Sequence, residues 1–114
     1  MAENWSREEN EAAVNAYLEM LYLEIRGEQF NKAARERSLS AQLPKRGRVS
    51  QKLQNITAVL NELGVPGIEG YKPLAKYQRD LAEVVAERFR AEHQLIRLLS
   101  ENVESPFTIP EVDD

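Results

Sequence analysis

The side chains best suited to chemistry lie in a short stretch that begins at Arg48. Arg48, Gln51, Lys52 and Asn55 follow the basic turn Pro44-Lys45-Arg46-Gly47. Arginine and lysine match the acceptor groups of guanine, and glutamine and asparagine match the donor–acceptor pair of adenine. These four residues are therefore predicted to contact base edges in duplex DNA.

Two other interpretations of this stretch remain open. Each of the four residues can simply belong to a solvated helix face. Asn55 has a further alternative, equally weighted, in which its side chain is buried and holds the loop 64–73 by hydrogen bonds.

A second group of basic residues is predicted to pair with phosphates. Such contacts fix the position of a protein on DNA without reading its sequence. The predicted phosphate contacts are Lys32, Arg35, Arg37, Lys45, Arg46 and Lys72.

The charge distribution along the chain supports a basic interface in the middle. The 114 residues carry a net charge of −4, yet residues 29–79 hold ten Lys/Arg against three Glu. The flanking segments are both acidic, with seven carboxylates against two arginines in residues 1–28 and nine against three in 80–114. Because salt screens charges beyond about 8–10 Å, a local basic surface can bind phosphate despite the net charge.

Residue types needed for catalysis or metal binding are scarce. The chain has no cysteine and one histidine, His93, so neither a zinc cluster nor a nuclease site with paired histidines is expected. No glycine-rich phosphate loop or Gly-x-Ser-x-Gly elbow is present. The sequence predicts a protein that is not an enzyme by itself and binds no cofactor or metal.

Apolar spacing predicts an all-α domain of about four helices. The first helix begins at a capping box, Ser6-Arg7-Glu8-Glu9, and buries Val14, Tyr17, Leu18 and Leu21. Two shorter helices, at about 31–43 and 48–63, flank the basic turn in a helix-turn-helix-like arrangement. The second of them is the predicted reading helix, with its basic and amide residues facing outward.

A long helix is predicted at about 74–100. At 1.5 Å per residue it would extend about 40 Å, so that its far end either folds back on the first helix or projects toward a partner. This length supports the alternative function, a protein–protein interaction or dimerisation module that binds another domain of a longer chain or a second copy. Residues 1–104 are predicted to form one helical domain, and 105–114 a linker-like tail toward a missing C-terminal part.

No apolar run approaches the roughly 20 residues that span a bilayer, and residues 1–4 do not begin a signal peptide. No membrane partner is expected, and a cytoplasmic location is the default.

Several motifs resemble a known family. Trp5-Ser6-Arg7-Glu8-Glu9, Asn31-Lys32, Gln54-Asn55-Ile56-Thr57-Ala58-Val59-Leu60, Gly70-Tyr71-Lys72-Pro73 and Tyr77-Gln78 occur in this order. The pattern is similar to the N-terminal head domain of McrA-type modification-dependent restriction endonucleases and related bacterial phage-defence proteins. Family members often carry a His or an Arg-Arg pair after Asn-Lys, whereas this chain has Ala33-Ala34-Arg35-Glu36-Arg37 there. The resemblance implies a helical, non-catalytic, DNA-contacting module whose parent often contains an HNH nuclease.

Overall fold

Five α-helices account for most of residues 5–101, the part of the chain that the computed structural model describes. They are α1 (Arg7–Ile25), α2 (Lys32–Gln42), α3 (Val49–Glu62), α4 (Arg79–Ala91) and α5 (His93–Glu101). Residues 5–101 contain no strand, so the predicted all-α class is confirmed, with one helix more than expected. None of these helices combines the length and apolar character needed to cross a membrane. The predicted tail 105–114 lies outside the described residues.

Helix α1 begins as its sequence predicts. The Ser6 hydroxyl accepts a hydrogen bond from the Glu9 amide (3.1 Å), and the Glu9 carboxylate accepts one from the Ser6 amide (2.8 Å). This reciprocal pair satisfies two amides that the first turn would otherwise leave unbonded. The predicted apolar face is buried, and α1 packs against the other four helices.

The core lies between α1, α3 and α4. Helix α3 contributes the most buried side chains for its length, nine of fourteen residues, whereas α2 buries Leu39 alone. Val84 and Val85 of α4 are completely buried against this centre. Helix α3 is therefore the structural centre of the domain, and α2 lies on its outside.

The loop between α3 and α4 is attached to the core by the Tyr17 hydroxyl. This buried group lies 2.6 Å from the Thr57 hydroxyl on α3 and accepts a hydrogen bond from the Ile68 amide (2.8 Å). The loop passes so closely that a Cβ on Gly67 would lie 2.6 Å from the Tyr17 oxygen. Only glycine permits this approach, because it has no Cβ. Burial of the Tyr17 hydroxyl raises its pKa.

The prediction of a single helix from 74 to 100 is wrong. Residues 74–78 are not helical, α4 begins at Arg79, and the helical backbone breaks at Glu92 (φ −90°, ψ 76°). The break changes the direction of the chain, so that Leu95 and Leu99 of α5 are buried rather than carried past the core. Helix α5 folds back on α1, where the Tyr22 hydroxyl donates to Gln94 Oε1 (3.4 Å).

We expect Tyr17→Phe to lower the free energy of unfolding by about 1–3 kcal/mol, because it leaves the buried Ile68 amide without an acceptor. Urea denaturation followed by circular dichroism measures the change.

Tyr22→Phe is the matched control, since it removes the same atom from the same helix. The Tyr22 hydroxyl makes only solvent-exposed hydrogen bonds, so a change within about 0.5 kcal/mol is expected. Equal destabilisation by the two variants would contradict the role assigned to Tyr17.

Candidate nucleic-acid interface

The predicted helix pair is present, with α2 and α3 in contact on either side of residues 43–48. Asn31 is the N-cap of α2, as predicted, and its side chain accepts a hydrogen bond from the Ala34 amide (2.9 Å). Pro44 and Gly47 interrupt the helices as expected. The local architecture around the basic turn could thus be predicted from the sequence.

The predicted outer face of α3 is wrong for two of its residues. Lys52 and Asn55 are both 8% exposed, whereas Gln51 is exposed and Gln54 is half-buried. A recognition helix needs several accessible side chains along one face to enter a DNA groove. Helix α3 has few, because α1, α2, α4 and the non-helical segment 74–78 surround it.

Asn55 is buried and bonded to backbone carbonyl groups, which is the alternative to a base contact that the sequence left open. Its side-chain amide donates to the carbonyl oxygens of Leu74 (2.7 Å) and Lys76 (3.1 Å). The Leu74 amide in turn donates to the Gln54 carbonyl oxygen (3.2 Å). Asn55 therefore fastens the segment 74–78 to α3, just beyond the loop 64–73 that was predicted.

Lys52 lies under Trp5 rather than on the surface. Its Nζ is 4.5 Å from the centre of the indole ring and donates to Gln78 Oε1 (3.2 Å). Gln78 also joins the Trp5 backbone, accepting from its amide (3.2 Å) and donating to its carbonyl (3.3 Å). Burial, reinforced by the nearby Arg46 charge, lowers the pKa of Lys52 to about 8.

Arg46 is also committed to the fold. Its guanidinium is 2.9 Å from Glu9 through both Nε and Nη2, and its side chain is 15% exposed. Arg46 also lies 6.0 Å from the Trp5 ring centre. The ion pair with Arg46 and the hydrogen bond from the Ser6 amide lower the pKa of Glu9. The turn is thereby fixed to the start of α1.

The basic residues at the start of α2 have partners as well. Lys32 Nζ donates to the Glu69 carbonyl oxygen (2.8 Å) and lies 5.2 Å from the centre of the Tyr71 ring. Arg35 forms an ion pair with Glu19 of α1 (3.2 Å). Both side chains hold α2 against its neighbours and keep a positive charge near the surface.

The remaining predicted contacts are exposed. Arg37, Lys45, Arg48, Gln51 and Lys72 make no side-chain hydrogen bond or ion pair within residues 5–101. Arg48 also has a left-handed backbone (φ 57°, ψ 43°), which a residue with a Cβ adopts at a cost of about 1–2 kcal/mol. The structure thus separates the ten predicted residues into an exposed group and a group engaged in the fold.

Three features of this region did not emerge from the sequence. Gln78 joins Trp5 to Lys52, and the exposed Lys76 and Arg79 flank it. The sparse burial of α2 was also missed, although its single strong apolar position, Leu39, was a usable signal.

Asn55→Ala is expected to lower the free energy of unfolding by about 1–3 kcal/mol, because it removes two part-buried hydrogen bonds from α3 to the carbonyl oxygens of Leu74 and Lys76. Gln54→Ala is the control, since that neighbouring side-chain amide makes no hydrogen bond within the described residues, and it is expected to change stability by about 0.5 kcal/mol or less. Chemical denaturation of both variants measures the difference. An Asn55 variant as stable as the wild type would refute the fastening role.

Lys52 is expected to make stability depend on alkaline pH. The unfolded chain keeps the lysine proton up to pH 10.5, whereas the folded chain loses it near pH 8, so the unfolded state binds more protons in between. The free energy of unfolding should therefore rise from about pH 8 to about pH 10.5, by as much as about 3 kcal/mol. Denaturation of the wild type and Lys52→Met across this range isolates the effect. A stability difference that does not vary with pH would contradict it.

No protein-family model, curated protein or solved structure matches the chain. Within residues 5–101, no group of His, Asp and Glu side chains is arranged to hold a metal ion. The chemistry on which a function can be argued is therefore the exposed positive charge around α2 and the basic turn.

Proposed function

We propose that this protein is a non-catalytic DNA-binding module of a restriction or phage-defence protein, as its resemblance to the McrA-type head domain implies. The observation that carries the proposal is the group of exposed cations Arg37, Lys45, Arg48 and Lys72, which have no ion-pair partner within the described residues. Lysine and arginine side chains left unpaired at a surface are available to replace the counterions of a DNA backbone.

The acidic residues support a defined orientation on DNA. Half of the exposed carboxylates of residues 5–101 lie on α1 and α4, including Glu8, Glu19, Glu83 and Glu87, and none lies on α2 or in the turn at 43–48. A phosphate backbone repels these surfaces and attracts the turn between α2 and α3. The binding that we propose is therefore local and strongly dependent on salt.

The contacts proposed here are chiefly to phosphates. Two of the four residues expected to reach base edges, Lys52 and Asn55, are buried in α3. Contacts to phosphates position a protein on DNA but carry no sequence information. The alternative function, docking through one long helix, loses its main support because that helix is divided at Glu92 and folds back on α1.

We expect the protein to bind labelled duplex DNA in a fluorescence anisotropy titration, with affinity that falls steeply as salt increases. Lys45→Glu/Arg48→Glu should weaken binding about tenfold or more at moderate salt and reduce the log–log salt slope by about two. Arg46 and Lys52 are left unchanged in this test because their contacts with Glu9 and Gln78 hold the fold together.

The charge-matched control is Arg97→Glu, which is compared with the single variant Arg48→Glu. Arg97 is an exposed arginine on α5, in the acidic C-terminal third of the chain. The Arg97→Glu variant should leave the salt slope of DNA binding unchanged. Absence of binding at low salt, or equal losses from the two arginine variants, would reject the proposed function.

A further inference from the structure

Helix α2 is the least buried helix of the described residues. One of its eleven residues, Leu39, is buried, compared with nine of fourteen in α3. A helix that enters a DNA groove must expose a face along its length, and α2 meets this requirement better than α3.

The charged residues near the start of α2 point toward the protein. Lys32 and Arg35 contact Glu69 and Glu19, and the Tyr71 hydroxyl donates to Glu36. The outer face consists of short side chains around a single exposed cation and lines a shallow depression. Its members are Ala33, Arg37, Ser40 and Ala41, with Glu36 at the edge.

Exposed cations follow or adjoin both ends of α2. Lys45 follows its C-terminal end, and Lys72 is next in sequence to Tyr71, whose ring centre lies 5.2 Å from Lys32 Nζ at the start of the helix. Helix α2 is about 16 Å long at 1.5 Å per residue. The major groove is about 12 Å wide, which admits an α-helix about 10–12 Å in diameter, and phosphates border it on both sides, where cations near the helix ends can pair with them.

We propose that α2, rather than α3, enters the major groove of duplex DNA, with Arg37 as the residue that determines sequence preference. This inference rests on the proposed DNA-binding function. The short side chains of Ala33 and Ala41 let the helix backbone approach the base edges, and Lys45 and Lys72 pair with flanking phosphates.

The chemistry of this face defines the expected target. Arginine donates two hydrogen bonds to O6 and N7 of guanine, and alanine packs against the thymine methyl group. Arg37 therefore selects a G·C pair at the centre of a short site, and Ala33 and Ala41 favour thymine on either side of it.

The test begins with selection of duplexes from a random pool by the wild-type protein. Anisotropy titrations then compare the recovered duplex with a scrambled one for Arg37→Lys, Ala41→Trp and Ala91→Trp. Arg37→Lys keeps the charge but loses the planar fork that donates two parallel hydrogen bonds to one guanine, so it should leave affinity for the scrambled duplex unchanged and reduce the preference for the recovered one about tenfold.

Ala41→Trp places a large ring on the proposed contact face and should weaken binding to both duplexes about tenfold or more. Ala91→Trp is the matched change at an exposed residue of α4 and should have no effect. Thermal melting by circular dichroism verifies that all three variants are folded.

Three outcomes would overturn the inference while leaving the proposed function intact: salt-sensitive binding without any sequence preference, a preference that survives Arg37→Lys, or full binding by Ala41→Trp. Loss of preference on Gln51→Ala, with none on Arg37→Lys, would assign the reading role to α3 instead. Failure of the wild type to bind any duplex at low salt would reject both proposals.

Discussion

The Tyr17 hydroxyl is the interaction on which the arrangement of this domain depends. It joins α1 to Thr57 of α3 and to the Ile68 amide in the following loop, all within the buried core. Once Ile68 is fixed, the next residues of the loop reach α2 through the Glu69 carbonyl and the Tyr71 side chain. A single phenolic oxygen thus links the core to the helix that contributes least to it.

A second set of contacts fixes the opposite side of α3. Trp5 lies over Lys52, and Gln78 bonds to both residues, which brings the start of α1 to the start of α4. Asn55 holds the non-helical segment 74–78 that precedes α4. The amide and basic residues of α3 that resemble a DNA-reading surface therefore serve mainly to connect elements that are distant in the sequence.

The sequence predicted the helical class, the capping box of α1 and the boundaries of the first three helices closely, because caps, prolines and glycines are local signals. It did not predict the break at Glu92, where neither proline nor glycine occurs. The burial of Lys52 also escaped prediction, and that of Asn55 was one of two open alternatives, because a polar residue with a partner in a distant segment has the same sequence signature as an exposed one. The division of the basic residues into engaged and exposed groups depends on tertiary contacts that spacing does not encode.

The slight burial of α2 has an evolutionary consequence. Since Leu39 is its one buried side chain, and the remaining attachment comes from its inner margin, substitutions on the outer face leave the core packing untouched. Most changes at exposed sites alter folding stability by about 0.5 kcal/mol or less. Descendants of this chain can therefore diversify that face while they inherit the same scaffold, so selection can act on recognition and on foldability almost independently.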